Sequence, residues 1–249
     1  MVPSLETSFC GSMERNFYQN YLANLNKPSP QADWSRPYGW YLRGWLPADR
    51  EARILELGCG EGNLLATLKG WGYREVRGID LRPEAIAFCR HRGLKADLAD
   101  ARTYLRGKTG GFQLIVAVDL LEHLSREDGL RLLEDVHRAL HPNGAVILQV
   151  PNLGSPFGGT VFYGDLTHLT GFTETSIRQL LKLAGFSRVE VREAGPGFWS
   201  VKSAIRYLGW GMLKIPLRLW HLLEGGNPGP SVLTRVMLAR AQTSPGKEP

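Results

Sequence analysis

The sequence is poor in cysteine, with only Cys10, Cys59 and Cys89 among its 249 residues and no C-x-x-C pair. This odd, scattered set of thiols argues against a disulfide framework and a structural zinc site, and it fits a reducing cytoplasm. Long apolar runs are missing as well, since no stretch of about 18 uncharged apolar residues occurs that could span a bilayer. The N-terminus lacks the apolar core of a signal peptide. These absences predict a cytoplasmic protein.

Acidic residues are outnumbered, because 30 Lys and Arg against 24 Asp and Glu leave a net charge of +6. A basic chain can bind nucleic acid, but no RNA-binding motif is present and the positive charge is concentrated in one late segment. A nucleic-acid partner is therefore not favoured. The length is sufficient for one large α/β domain or a core with an appendage.

From residue 53 onward, apolar strand-like runs alternate with helix-like segments. This alternation predicts an α/β fold with a doubly wound, mostly parallel sheet. Six predicted strands come first: ARILELG, EVRGIDL, LKADLAD, FQLIVAVDLL, GAVILQVPN and SRVEVREAG. The seventh, LTRVMLARA, alternates in the manner of an edge strand.

Five regions are expected along the chain. Residues 1–50, rich in Trp and Tyr, are predicted to form an N-terminal helical cap, and residues 51–196 the core of the domain. A helical insert is predicted over 197–230, the last strand of the core over 231–242, and a flexible tail over 243–249.

The run ILELGCGEGN places Gly58, Gly60 and Gly62 directly after the first predicted strand. In doubly wound sheets ligands bind beyond the carboxyl ends of the strands, so these glycines lie at the expected binding edge. The dinucleotide pattern G-x-G-x-x-G is not met, because Asn63 occupies the third glycine position, and the G-K-[ST] of a triphosphate-binding loop is absent. Glu56, on the same strand, is a poor neighbour for phosphate and a good one for a cation.

Acidic residues follow the next strands at the same edge. Asp80 ends the second strand, where it can accept hydrogen bonds from ribose hydroxyls, as acids do in sites for NAD and for S-adenosylmethionine. Asp97, in the third strand, can accept a hydrogen bond from an adenine amino group. Asp119 directly follows the fourth strand and is expected beside the ligand.

Together, these acids, the glycines and the run VDLLEHL resemble class I S-adenosylmethionine-dependent methyltransferases. The resemblance covers residues 54–191 in order, and it implies a Rossmann-like, seven-stranded fold with S-adenosylmethionine as the cofactor. The implied cofactor-binding residues are the acids, the glycines and the leucines that follow two of the acids: Glu56, Gly58, Gly60, Gly62, Asp80, Leu81, Asp97, Leu98 and Asp119.

Two segments after the fourth and fifth strands carry the candidate catalytic residues. Family members that methylate nucleic-acid bases usually have a D/N-P-P-Y/F-like motif after the fourth strand, whereas this chain has DLLEH. Within that run, Glu122 and His123 either act in catalysis or only cap and pack the following helix. The second segment, loop 162–173 (FYGDLTHLTGFT), adds Asp165 and His168. The alternative interpretation is a tight loop tied by its own Asp and Thr side chains.

We predict His168 or His123 as the general base for a hydroxyl acceptor, with Asp165 orienting the acceptor. The D-x-T-H and F-T pattern is similar to bacterial methyltransferases of sugar and surface-polysaccharide pathways, which implies a small-molecule or glycan acceptor. A divalent metal held by Asp119, Glu122, His123 and His168 is possible but not favoured, so no metal ligand is assigned.

Residues 197–230 interrupt the simple hairpin expected between the last two strands. Val201, Ile205, Leu208 and Met212 follow helical spacing, and Pro216 is predicted to start a second helix. Four Lys or Arg and no acids lie between residues 197 and 223, together with three tryptophans. Three interpretations stay open: a helical pair packed on its own core, a lid over the substrate, or a face for peripheral contact with an anionic membrane at the inner membrane face.

The sequence therefore favours a methyltransferase acting on oxygen of a hydroxylated small molecule, such as a sugar or glycan intermediate. One alternative is an O- or N-methyltransferase of a natural-product or quinone-like aromatic acceptor, with the N-terminal aromatic residues lining a flat pocket. Another, of a different class, is a non-catalytic partner subunit that only binds the cofactor. The sequence leaves the oligomeric state open.

Overall fold

The structure, a computed structural model, describes residues 33–244. Most of the predicted N-terminal cap lies outside the described residues, together with Cys10 and the end of the predicted tail. Within this range seven strands form one sheet. In chain order they are β1 (Ile54–Leu57), β2 (Val76–Asp80), β3 (Ala96–Leu98), β4 (Phe112–Val118), β5 (Leu140–Pro151), β6 (Arg188–Glu193) and β7 (Val236–Gln242).

The strand order is β3-β2-β1-β4-β5-β7-β6, and every pairing from β3 to β5 is parallel. Only β7 is antiparallel, to β5 on one side and to β6 on the other. The predicted α/β class with a mostly parallel, doubly wound sheet is confirmed. The carboxyl ends of β1 to β5 lie along one side of the sheet, which we call the carboxyl edge.

The prediction that the last strand lies at the edge of the sheet is wrong, because β7 is inserted between β5 and β6. Met237, Ala239 and Ala241 are buried in the core on one face of the sheet, and Leu238 is buried in the core on the other. Burial on both faces is typical of an interior strand. The alternation in the sequence comes from Arg240, which lies between two alanines and pairs with Glu190 of β6 at 3.4 Å.

Helices cover both faces of the sheet and join the strands. They are α1 (Ser35–Tyr41), α2 (Asn63–Gly70), α3 (Pro83–His91), α4 (Ala101–Leu105), a 3₁₀ turn (Leu121–His123), α5 (Arg126–Ala139), α6 (Gly158–Phe162), α7 (Glu174–Leu183) and α8 (Val201–Gly225). Leu133 of α5 and Ile177 of α7 pack on one face with Leu55 of β1. Leu64 of α2 packs on the other face with Ile54. The two cores fix β1, and with it the turn that follows, in the middle of the sheet.

Helix α8 is continuous, so the prediction of a second helix starting at Pro216 is wrong. A proline inside a helix removes one backbone hydrogen bond and crowds the preceding turn. Contacts on both sides of Pro216 stabilise the helix here. Before the proline, Lys214 Nζ donates to Glu193 Oε2 at 3.0 Å, and after it the ring of His221 lies against Gly229.

Gly78 of β2 allows the turn after β1 and helix α2 to pack directly on the strand. A Cβ atom at this position would lie 2.6 Å from both Cys59 Cβ and Leu65 Cδ1. We expect Gly78→Ala to lower the free energy of unfolding by about 1–3 kcal/mol, because the added methyl group overpacks a filled core. Urea denaturation measures this change.

Gly70→Ala is the matched control for that substitution. Gly70 is the last residue of α2, and a Cβ atom added there would meet no atom of the described residues within 4 Å beyond its own stretch of helix. Alanine at this position should therefore be neutral or stabilising by up to about 1 kcal/mol. Equal effects of the two substitutions would contradict the close-packing argument.

Candidate active site

The turn after β1 has a backbone conformation that depends on glycine. The φ angles of Gly58, Gly60 and Gly62 are 69°, 50° and 74°, all in the left-handed region. Space is limited as well, since a Cβ at Gly62 would lie 2.6 Å from Leu94 Cδ1 and 2.8 Å from Cys89 Sγ. The turn therefore presents bare backbone at the carboxyl edge, where a ligand can approach closely.

Glu56 of β1 is a buried acid, 4% exposed, below this turn. Its Oε2 has no hydrogen-bond partner among residues 33–244. Burial raises the pKa of Glu56 well above the usual range, and the nearby Cys89 and Asp80 add to the shift. A buried acceptor without a partner is costly, and a cationic group of a ligand that donated a hydrogen bond to it would relieve that cost.

Asp80, at the end of β2, holds the glycine turn in place. Its Oδ2 accepts from the N–H of Gly60 at 2.8 Å, and its Oδ1 accepts from the N–H and Nε of Arg82 at 2.9 and 3.3 Å. A carboxylate offers about four acceptor positions, so these bonds leave capacity for ribose hydroxyls. Asp80 thus connects the turn after β1 to the end of β2.

The two predicted cofactor-binding residues on β3, Asp97 and Leu98, have different surroundings. Asp97, the predicted partner of an adenine amino group, forms ion pairs with Arg77 and, at 4.0 Å, with Arg90. Leu98 lies opposite Asp80 in the parallel pairing of β2 and β3. Leu98 and Leu81 are 54% and 63% exposed, so they offer an apolar surface at the carboxyl edge on which a flat ring can stack.

Asp119, directly after β4, has a strained backbone with a φ of 49°. Non-glycine residues in this region are uncommon and concentrate at functional sites. Its carboxylate accepts two hydrogen bonds from Gln149 Nε2, at 3.1 and 3.2 Å. Burial raises the pKa of the Asp119 carboxyl above its ordinary value. The hydrogen bonds from Gln149 offset part of that rise.

Two histidines from different segments meet beside Asp119. His123 lies in the 3₁₀ turn after β4 and His168 in loop 162–173 after β5. Their ring centroids are 4.7 Å apart. The main-chain oxygen of Glu122 accepts from the N–H groups of Leu169 and Thr170 at 2.7 and 3.0 Å, which ties the loop to the turn.

Hydrogen bonds indicate which ring nitrogen of each histidine carries the lone pair. Thr167 Oγ1 donates to Asp165 Oδ1 at 2.6 Å, so His123 Nδ1, which is 2.8 Å from the same hydroxyl, acts as the donor to it. His168 Nδ1 donates to the main-chain oxygen of Phe162 at 2.8 Å. In its neutral form, each ring therefore has its lone pair on Nε2.

Acids surround the two imidazoles. His168 Nε2 lies 3.8 Å from Asp165 Oδ2 and 4.0 Å from Glu122 Oε1. Burial and the neighbouring His168 lower the pKa of His123, which keeps its ring neutral near pH 7. A neutral imidazole beside an acid is ready to accept a proton.

Glu122 has no exposed surface, and within the described part of the chain neither of its carboxyl oxygens has a hydrogen-bond partner. Burial, with Asp119 and Asp165 nearby, raises its pKa to about 8. One ligand atom from each of Glu122, His123 and His168 lies within 4.8 Å of the others, a spacing that could hold a metal ion. Over residues 33–244 Asp119, the fourth predicted ligand, is not part of this group.

The structure adds site residues that sequence reasoning did not assign. Tyr38 of α1 lies near Glu56 and Asp119, and burial together with these two acids raises the pKa of its phenol. Gln149 is a polar residue among buried neighbours near the end of strand β5, and this position in the sequence could have identified it as a site residue. Asp165, predicted to orient the acceptor, contacts Thr167 and lies 3.8 Å from His168 Nε2 in this structure.

The sequence pattern of the methyltransferase domain family matches residues 35–191, which is more than half of the chain. The protein belongs to this family, and the predicted class of S-adenosylmethionine-dependent methyltransferases is confirmed. S-adenosylmethionine is the cofactor of that class. The unpartnered Glu56 oxygen, the bare glycine turn and the two exposed leucines fit its ammonium group, its methionine backbone and its adenine ring.

Curated relatives match parts of the chain. A trans-aconitate 2-methyltransferase of Mycobacterium sp. (strain KMS) is 43% identical over 68 residues, 27% of this chain and 26% of the relative. One of Azoarcus sp. (strain BH72) is 29% identical over 107 residues, 43% of this chain and 42% of the relative. The chain thus spans less than half the length of these relatives.

Solved structures share the fold. A methyltransferase from Archaeoglobus fulgidus, described as dependent on S-adenosylmethionine, superposes with a TM-score of 0.59 at 22% identity. The match covers 84% of this chain and 90% of that one. At this identity the likeness shows the fold alone.

Glu122→Gln should stabilise the protein in a pH-dependent way. Because its pKa is raised from 4.5 to about 8, the folded state keeps a proton that the unfolded chain has released, so stability falls as pH rises between these values. Glutamine does not ionise, so the variant does not lose stability in this way as pH rises. We expect no gain near pH 4 and a gain of roughly 2–4 kcal/mol at pH 8, measured by urea denaturation with a chelator present.

Glu127→Gln, whose side chain is 73% exposed, is the control and should change stability little at any pH. A gain for Glu122→Gln that is equal at pH 4 and pH 8 would show that the Glu122 carboxyl does not titrate with a raised pKa.

Proposed function

We propose that this protein transfers a methyl group from S-adenosylmethionine to an oxygen of a small hydroxylated acceptor, such as a sugar or glycan intermediate. The observation that carries this proposal is the placement of two imidazoles with basic Nε2 atoms, His123 and His168, at the carboxyl edge. The name of the curated relatives, trans-aconitate 2-methyltransferase, supports a small-molecule acceptor.

The cofactor supplies an electrophilic methyl group on a sulfonium, which an acceptor oxygen displaces in line with the carbon–sulfur bond. The glycine turn, Glu56 and Asp80 would hold the cofactor, and Tyr38 and Asp119 would close its other side. Holding both reactants in line supplies most of the rate enhancement expected for such a displacement.

The chain's own chemical contribution is removal of the acceptor's proton. As the new carbon–oxygen bond forms and the carbon–sulfur bond breaks, the hydroxyl proton passes to Nε2 of His168 or of His123. A proton on His168 Nε2 would face the Asp165 carboxylate, 3.8 Å away. A proton on His123 is stabilised through Thr167, whose hydroxyl bonds to Asp165.

The other two functions have weaker support. Aromatic residues before residue 50 were expected to line a flat pocket for an aromatic acceptor. Of these, Trp40 packs on Phe198 with ring centroids 5.8 Å apart, and Tyr41 packs on Trp199 at 5.9 Å, which supports a packing role for these two rings. A non-catalytic partner subunit would have no use for the fixed tautomers of the two histidines.

Asp80→Ala tests cofactor binding. The substitution removes the acceptor for the Gly60 N–H and for the ribose, so affinity for S-adenosylmethionine should fall by about 1–3 kcal/mol. Calorimetric titration measures it. Glu75→Ala is the control, because Glu75 lies just before β2, at the opposite end of the strand, where it pairs with Lys95. Wild-type affinity of Asp80→Ala would contradict the assignment.

His168→Ala and His123→Ala test the base. The residue that acts as base should lower kcat by about 10² to 10⁴ on substitution, while affinity for S-adenosylmethionine persists. Turnover is measured with the acceptor found by mass-spectrometric screening with labelled cofactor. His91→Ala, an exposed residue at the end of α3, is the control.

If neither histidine substitution slows turnover tenfold, the base assignment fails. The alternative is a divalent metal on Glu122, His123 and His168 that lowers the pKa of a bound hydroxyl. In that case Mn²⁺ would bind the wild-type protein by electron paramagnetic resonance, each histidine substitution would weaken the binding, and a chelator would stop turnover.

A further inference from the structure

Helix α8 packs on the domain along one stripe of side chains at helical spacing. Trp210 Nε1 and Lys214 Nζ both donate to Glu193 Oε2, at 3.3 and 3.0 Å. One turn earlier, the ring of Tyr207 lies 5.8 Å from Trp40 of α1. Because these residues are three or four positions apart, they define the inner face of the helix.

The opposite face of α8 carries a continuous apolar stripe. Eight residues at spacings of mostly three or four positions point away from the domain, and their exposed fractions range from 50% to 79%. This outer stripe consists of Val201, Ile205, Leu208, Met212, Ile215, Leu219, Leu222 and Leu223. It runs the length of a 25-residue helix, about 37 Å. Exposed apolar patches of this extent mark interaction sites.

Charges flank the outer stripe with a single sign. At about 100° per residue, Lys202 lies on one flank of the stripe and Arg218 on the other, whereas Arg206 lies closer to the inner face, near Tyr41. The helix contains one acid, Glu224, near its end. Trp220, 65% exposed, lies beside the stripe. Basic flanks, an apolar stripe and an exposed tryptophan are the features of helices that lie in the surface of a membrane.

We propose that the outer stripe of α8 docks on an anionic membrane surface, with the helix lying in the interface. Among residues 33–244 no helix is long and apolar enough to cross a membrane, so the contact would be peripheral. A second copy of the chain is the less favoured occupant, because pairing two such helices brings flanks of like charge together with a single acid on each. The anionic lipid surface complements Lys202 and Arg218, which flank the stripe.

Docking would bring the active site to the lipid surface. Strand β6 runs parallel to β5, so its end at Glu193, which holds α8, lies toward the carboxyl edge. Helix α1, which supplies Tyr38, contacts the start of α8 through Trp40. Given the proposed methyl transfer, the acceptor would be amphipathic or lipid-linked, and this part of the inference rests on the proposed function.

Co-sedimentation with vesicles tests the docking, using the full chain. Wild-type protein should sediment with vesicles of phosphatidylcholine and phosphatidylglycerol at low ionic strength, more weakly at high ionic strength, and poorly with phosphatidylcholine alone. The double substitution Leu208→Glu and Ile215→Glu should weaken partitioning more than about tenfold, because it places charge in the apolar stripe. Lys202→Gln should weaken it about fivefold.

Leu183→Glu is the matched control, because Leu183 is 71% exposed at the end of α7 and lies outside the outer stripe. It should sediment as the wild type does. Calorimetric binding of S-adenosylmethionine by every variant shows that the fold and cofactor site are intact, so failure of docking is distinguishable from failure of the proposed function.

Two results would overturn the proposal. The first is a wild-type protein that binds cofactor but ignores anionic vesicles at low ionic strength. The second is a dimer by sedimentation equilibrium that the double substitution converts to monomer, since a second copy of the chain would then cover the stripe.

Discussion

The main-chain oxygen of Glu122 accepts hydrogen bonds from Leu169 and Thr170, and the arrangement of the active site depends on this pair of bonds. They join the segment after β4 to the loop after β5, which are separated by more than forty residues of chain. Thr170 adds a third link, since its hydroxyl donates to the main-chain oxygen of Leu124 at 2.7 Å. Because the loop is held by backbone atoms, His123 and His168 are brought together without using their side chains for these links.

The carboxyl edge concentrates carboxylates that are poorly solvated. Glu56 and Glu122 are buried, and the pKa of each is raised, as is that of Asp119. Such a group of acids is unfavourable in the empty site and becomes favourable when a cationic ligand is present. If the proposed cofactor site is right, the same residues that destabilise the free protein would favour binding of a sulfonium and an ammonium.

The sequence was sufficient for the features that depend on local pattern. Alternating strands and helices, the glycine turn and the acids within β1, at the end of β2 and after β4 were all expected, because each follows from residue type and position along the chain. The start of α7 follows a local rule as well, because Thr173 forms a capping box with Ser176. Local rules of this kind predict which elements form and where their ends meet.

Features that depend on contacts between residues far apart in the chain could not be predicted from the sequence. The position of β7 depends on which strand edges remain unpaired, and the continuity of α8 across Pro216 depends on its contacts with Glu193 and Gly229. The ion pairs of Asp97 with Arg77 and Arg90 are also contacts between separate segments, which the sequence pattern did not indicate. Tyr38 reaches the site through the packing of α1, for which no pattern near residue 38 gives a signal.

The insertion of β7 between β5 and β6 has a consequence for how the chain folds. β6 is joined to the sheet only through β7, and β7 is the last strand to be synthesised among the described residues. Until it emerges from the ribosome, β5 has an open edge, β6 has no partner, and the apolar helix α8 has already been made. The newly made chain therefore passes through a stage with exposed strand edges and apolar surface, and a chaperone or an early membrane contact would protect it there.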